Sequence, residues 1–179
     1  HWQAVTGNLR VSEIYSVAYD PFANRFIAGA QDNAPIEQTQ AGDRTWHALD
    51  CCDGAIVQLD GSNPDARVQY YSIQNLGRFQ RRTIDENGDA GDPTDIGLVV
   101  SQAGGQTLSG MDSPQFIQPF VLNAIDPTRM LIGTSYLYES FDQGDTLVQL
   151  GGPPVDKTGD GVDNDGDGTS DEADEFLPA

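Results

Sequence analysis

The chain is expected to be all-β, built from antiparallel hairpins. Three observations predict this. Short runs alternate apolar and polar residues with a period of two. Glycine and proline are frequent, at 20 and 10 of 179 residues, which suits strands joined by tight turns better than long helices. Three stretches also repeat one plan of apolar strand, Asp/Pro turn, arginine and second strand.

The first stretch is YSVAYDPFANRFIAGAQDN, with Asp20, Pro21, Arg25 and Gly29. The second is AIVQLDGSNPDARVQYYS, with Asp60, Pro64, Arg67 and Tyr71. The third is FVLNAIDPTRMLIGTSYLYES, with Asp126, Pro127, Arg129 and Gly133. Asp20 and Asp60 are 40 residues apart, the length of one propeller blade. The longer step to Asp126 fits an insertion at about residues 85–114, rich in Gly, Asp and Ser and expected as a long loop. Arg25, Arg67 and Arg129 recur at one place in the plan and are read as turn or strand anchors.

After the third hairpin comes SFDQGDTL, residues 140–147. It matches S-x-D-x-G-x-T-W with leucine at the last position. TQAGDRTW, residues 39–46, keeps the threonine and tryptophan but has Ala41 where the aspartate belongs. TIDENG, residues 83–88, is a weaker remnant, and Trp2 fits the closing residue of a further copy. On these motifs, residues 1 to about 150 resemble the Asp-box (BNR-repeat) β-propellers. The resemblance implies blades of antiparallel hairpins, with Ser140, Asp142, Gly144 and Thr146 as a structural turn. In such a turn Ser and Asp oxygens accept backbone N–H groups and Gly permits positive φ. About three hairpin units fall short of the four to eight blades of a closed ring. The remaining blades are therefore expected on a longer parent chain or on another chain. The chain starts at His1 and Trp2 as if mid-domain, so a processed product or fragment is expected.

The formal net charge is −19. This excludes phosphate-neutralising contact with nucleic acid and disfavours anionic membranes. No apolar run is long enough to span a bilayer. Such acidity suits a secreted or cell-surface protein, or one that holds divalent cations.

The acidity peaks in DNDGDGTSDEAD, residues 163–174. With Asp163 at position 1, Asp165, Asp167, Thr169, Asp171 and Asp174 fall at positions 3, 5, 7, 9 and 12. Gly168 falls at position 6, where the chain must turn sharply. This is EF-hand ligand spacing with Asp in place of the final Glu. A disordered acidic linker is the competing reading, but composition alone does not place the glycine and the oxygen donors so regularly. Ca²⁺ is the expected cofactor, and Asp156 and Asp160 are further candidate ligands. The segment resembles the dockerin-type and DGVDNDGDG calcium loops of bacterial extracellular proteins.

Cys51 and Cys52 are adjacent, which fits neither a zinc knuckle nor a CxxC redox pair. Two thiols, a vicinal disulfide and pairing to another chain are all open.

The family resemblance includes sialidases and other glycoside hydrolases, whose chemistry needs paired carboxyl groups or a tyrosine nucleophile with its base. No residue set is singled out as catalytic, and no FRIP-like motif is present. Residues 1–152 are thus expected as propeller blades and 153–179 as an acidic calcium-binding tail. The expected function is binding or structural assembly by a secreted or cell-surface module. Expected partners are other protein chains, through self-assembly or the remaining blades, and carbohydrate. The alternative is a fragment of a sialidase-like propeller hydrolase.

Overall fold

The computed structural model describes residues 11–151, with the backbone of Val155–Asp156 and Phe176–Leu177. The chain is mostly β, in antiparallel sheets, and divides into two compact units. One unit runs to Ile96 and includes Pro114–Pro119; the other comprises Gly97–Ser113 and the chain from Phe120 onward.

The first unit holds two four-stranded meanders. Strands β1 (Ile14–Asp20), β2 (Arg25–Ala30), β3 (Ala34–Gln38) and β4 (Trp46–Ala48) pair in that order. Strands β5 (Gly54–Asp60), β6 (Ala66–Ile73), β7 (Gln80–Asp85) and β8 (Thr94–Asp95) do the same. All neighbours are antiparallel.

In the second unit, β10 (Phe120–Leu122), β11 (Met130–Gly133), β12 (Leu137–Ser140) and β13 (Thr146–Leu150) form a third meander. Strand β9 (Val99–Val100) adds to β13 in parallel. Among the described residues no sheet closes on itself.

The three repeated Asp turns occupy one place, between strands one and two of each meander. The three box-like segments likewise all join strands three and four. The insertion is not one loop. Its first part carries β8 and completes the second sheet, while β9, a 3-10 turn at Ser101–Ala103 and a short helix at Leu108–Met111 belong to the second unit.

The two sheets of the first unit meet backbone to backbone. A Cβ placed on Gly29 would lie 1.7 Å from the Ala55 carbonyl oxygen, and one on Gly54 would lie 2.3 Å from that of Ala34. Ile27, Val57 and Tyr71 form the apolar centre, flanked by Ala18 and Leu49.

Polar side chains complete this interface as hydrogen-bonded pairs, as burial requires. Arg67 Nε donates to Asp20 Oδ2 at 2.9 Å, with both side chains buried. Asp20 Oδ1 also accepts the N–H groups of Phe22 and Ala23. Glu37 accepts Gln69 Nε2 at 2.8 Å and Arg82 at 2.9 Å. Each of the three repeat arginines is an anchor: Arg67 locks sheet to sheet, and Arg25 donates to the Gly88 carbonyl at 2.6 Å. Arg129 pairs with Glu139 and lies over the Phe141 ring at 5.4 Å.

Candidate functional site

Two kinds of feature stand out: hydrogen-bonded aspartate turns, and sheet faces left uncovered among the described residues.

The turn at Ser140–Thr146 follows from its residue types. Gly144 takes φ 95° and Gln143 φ 63°, so the chain reverses within a few residues. Ser140 Oγ accepts the N–H of Gly144 at 2.8 Å and donates to Asp142 Oδ1 at 2.8 Å. Asp142 Oδ1 accepts the Thr146 N–H at 2.8 Å, and Oδ2 accepts the Thr146 hydroxyl at 2.6 Å. Leu147 stands where the motif has tryptophan, and it is fully buried. Asp142→Ala should therefore cost about 1–3 kcal/mol by leaving donors unmet. Chemical denaturation measures this, and an unchanged midpoint would remove the structural role.

The two weaker copies close differently. In TQAGDRTW the carboxylate comes from Asp43, which accepts the Thr45 N–H at 3.1 Å. In TIDENG, Asp85 accepts the N–H groups of Asn87 and Asp89, each at 2.9 Å. A further aspartate, Asp112, joins distant loops. It accepts the Thr134 hydroxyl, and the Ser135 hydroxyl and N–H at 2.8 and 3.0 Å. Sequence reading missed Asp112, because nothing local in MDSP announces partners on the far hairpin.

These bonds favour the charged carboxylate. Asp85 is held below the usual range chiefly by the Asp89 N–H, and Asp112 chiefly by the Thr134 hydroxyl. At Asp142 desolvation is the largest influence and acts upward, but the bonds from Thr146 and Ser140 outweigh it. Because the folded pKa values are lowered, this stabilisation is present above the unfolded carboxylate value of about 4. It is lost as pH falls through the folded values. Acid unfolding followed by circular dichroism should show this loss below about pH 4, and Asp112→Asn should flatten the slope.

The uncovered faces follow from the register. Val17 pairs with Ala28, Ala28 with Ile36, and Ile36 with Ala48, so all four share one face. Tyr19 and Phe26 extend that face, with ring centroids 4.9 Å apart. It is the face turned away from Ile27 and the second sheet. Side chains from Ile14, Val17, Ile36 and Trp46, with Asp43 and Arg44 at the side, line a broad groove. In the third sheet Val121, Leu131, Glu139 and Val148 form one row, and Leu137 pairs with Leu150. Val121, Leu137, Val148 and Leu150 are exposed, whereas Phe120, Ile132 and Tyr138 on the opposite face are buried.

The open edges are fewer than the apolar runs FVLNAI and MLIGTSYLY imply. Strand β11 is paired on both sides, and β9 covers the outer side of β13.

The expected calcium ligands Asp163, Asp165, Asp167, Thr169, Asp171 and Asp174, with Asp160, lie outside the described residues. Asp156 is described by its backbone, in β14 (Val155–Asp156), which pairs antiparallel with β15 (Phe176–Leu177). Among the described residues no group of three or more His, Cys, Asp or Glu side chains is placed to hold a metal.

Cys51 and Cys52 are joined as a vicinal disulfide, both exposed, in the turn that leads from β4 to β5. His47 lies beside Glu37, with Nε2 to Oε2 at 3.4 Å.

Comparison with protein-family models and with curated proteins finds no match for this chain.

Proposed function

We propose that this chain is a calcium-binding, propeller-type module of a secreted or cell-surface protein, and that its role is binding and assembly. The carrying observation is the outer face of the first sheet, where Val17 is 59% and Tyr19 45% exposed. Contiguous apolar surface of this kind marks a contact site. Within the first unit, sheets cover each other through small residues and the buried Asp20–Arg67 and Glu37–Arg82 pairs. The outer faces of the first and third sheets have no such cover among the described residues. In the propeller reading they await further blades, supplied by another chain or another copy.

The acidic tail supplies the calcium part. Its donor set suits a hard dication with six to eight oxygen ligands, and the β14–β15 pair brings the two ends of the segment side by side. Asp163, Asp165, Asp167, Asp171 and Asp174 would give carboxylate oxygens and Thr169 its carbonyl.

The hydrolase alternative has less support. It needs carboxyl groups free to face a cleft, whereas Asp20, Glu37 and Glu139 are each paired with an arginine.

Light scattering on the whole chain with and without calcium tests the proposal. Assembly should grow with concentration, and Val17→Asp on the exposed face should suppress it without unfolding the sheet. A monodisperse monomer at high concentration, binding no hydrophobic dye, would overturn the assembly reading. Calorimetry showing no calcium uptake would overturn the metal reading separately.

A further inference from the structure

The junction between the first two sheets gathers an unusual amount of strained backbone. Asp32 in the β2–β3 turn and Ala34 at the start of β3 have φ 55° and 67°, and Cys52 has φ 71°. After β6, Asn75, Leu76 and Arg78 have φ 56°, 56° and 45°. Left-handed φ at a non-glycine residue is unfavourable and persists only where the surroundings over-determine it.

The Asp50–Asp53 turn holds Asp32, Ala34 and Arg78 among them, and Gln74 beside them. The Cys52 carbonyl accepts the Ala34 N–H at 2.9 Å. Asp53 Oδ1 accepts the Asp32 N–H at 2.7 Å. On the other side the Asp53 N–H donates to Gln74 Oε1 at 2.9 Å, and the Gln74 N–H returns to the Asp53 carbonyl at 2.9 Å. Asp50 Oδ1 accepts the Cys51 N–H at 2.8 Å and Arg78 at 2.7 Å. One short turn thus holds a loop of the first sheet and a loop of the second. The bond between Cys51 and Cys52 fixes its shape.

We propose that this disulfide is a redox-responsive clamp at the sheet junction. Both cysteines are exposed, so a dithiol reductant reaches them. Its thiolate attacks one Sγ, the Cys51–Cys52 bond breaks, and the released thiolate takes a proton. The reductant's second thiol then attacks the mixed disulfide. The products are two cysteine thiols and the oxidised reductant. With the covalent tie gone, Cys52 relaxes to negative φ and its carbonyl leaves Ala34. The Asp20–Arg67 and Glu37–Arg82 pairs lie elsewhere in the interface and keep the sheets together. The response is therefore local loosening rather than unfolding.

Amide hydrogen exchange on the full chain tests this, with dithiothreitol as the reductant and thiol alkylation counted by mass. In the reduced protein the Ala34, Asp53 and Gln74 amides should exchange about tenfold faster or more, while strand amides such as Ala28 keep their rates. The double variant Cys51→Ser/Cys52→Ser should reproduce that pattern without reductant. If this variant does not fold, the reduced wild-type chain decides alone. Unchanged exchange at the three amides with both thiols alkylated overturns the clamp. So does alkylation of both cysteines in native, untreated protein.

Discussion

Gly29→Ala should destabilise the first unit by about 3 kcal/mol or more, because the added methyl group overlaps backbone and not a movable side chain. The new Cβ would sit 1.7 Å from the Ala55 carbonyl oxygen and 2.7 Å from its carbon. Relief requires β2 and β5 to move apart, which opens the contacts of Ile27, Val57 and Tyr71 behind them. Gly42→Ala is the control. Gly42 has φ 70° with nothing within 4 Å, so only the backbone penalty of about 1 kcal/mol applies. Urea denaturation of the two variants separates close packing from backbone strain. Similar midpoints would mean that the sheets are not in this close contact.

The second large effect is expected at Arg67. Arg67→Met keeps an apolar stem of similar length but leaves the Asp20 carboxylate buried without its cation. Breaking a buried pair from one side costs about 3–5 kcal/mol. The double variant Asp20→Asn/Arg67→Met should recover most of that loss, since Asn keeps an oxygen for the Phe22 and Ala23 N–H groups and carries no charge. Arg67 also lies over the Phe22 ring, 5.7 Å from its centroid, so recovery should be incomplete. A double variant no more stable than Arg67→Met would show that the uncompensated charge is not the main cost.

The first two strands of each meander were legible because alternation and Asp/Pro turns act locally. Tyr19 to Phe26 and Leu59 to Val68 can be read without knowing what lies on either side. The later strands were not legible, for a physical reason. APIEQ and QRRTID show little apolar alternation, yet both are interior strands. Their inward positions include the charged Glu37 and Arg82, which are tolerated inside only because they meet each other and Gln69. Hydropathy cannot show such pairing, since each residue alone reads as surface. Gly29 carried a similar hidden meaning: a glycine inside a strand is a weak sign of close backbone approach. The turn at residues 140–147 was readable as a local aspartate turn, because its partners lie within a few residues. The Asp112 clip was not.

The parallel pairing of β9 with β13 bears on the order of assembly. The first two meanders join neighbouring segments and can form as the chain emerges. Val99 and Val100 must instead wait for Thr146 and Leu147, with the whole β10–β12 hairpin series between them. Non-local contact of this kind pays its loop-closure entropy before it gains any pairing. Folding should therefore show two kinetic events: a fast one set by local hairpins and a slower one that seats β9. Until the slower event, the outer edge of β13 offers free N–H and C=O groups. During that interval intermolecular strand pairing competes with the native one.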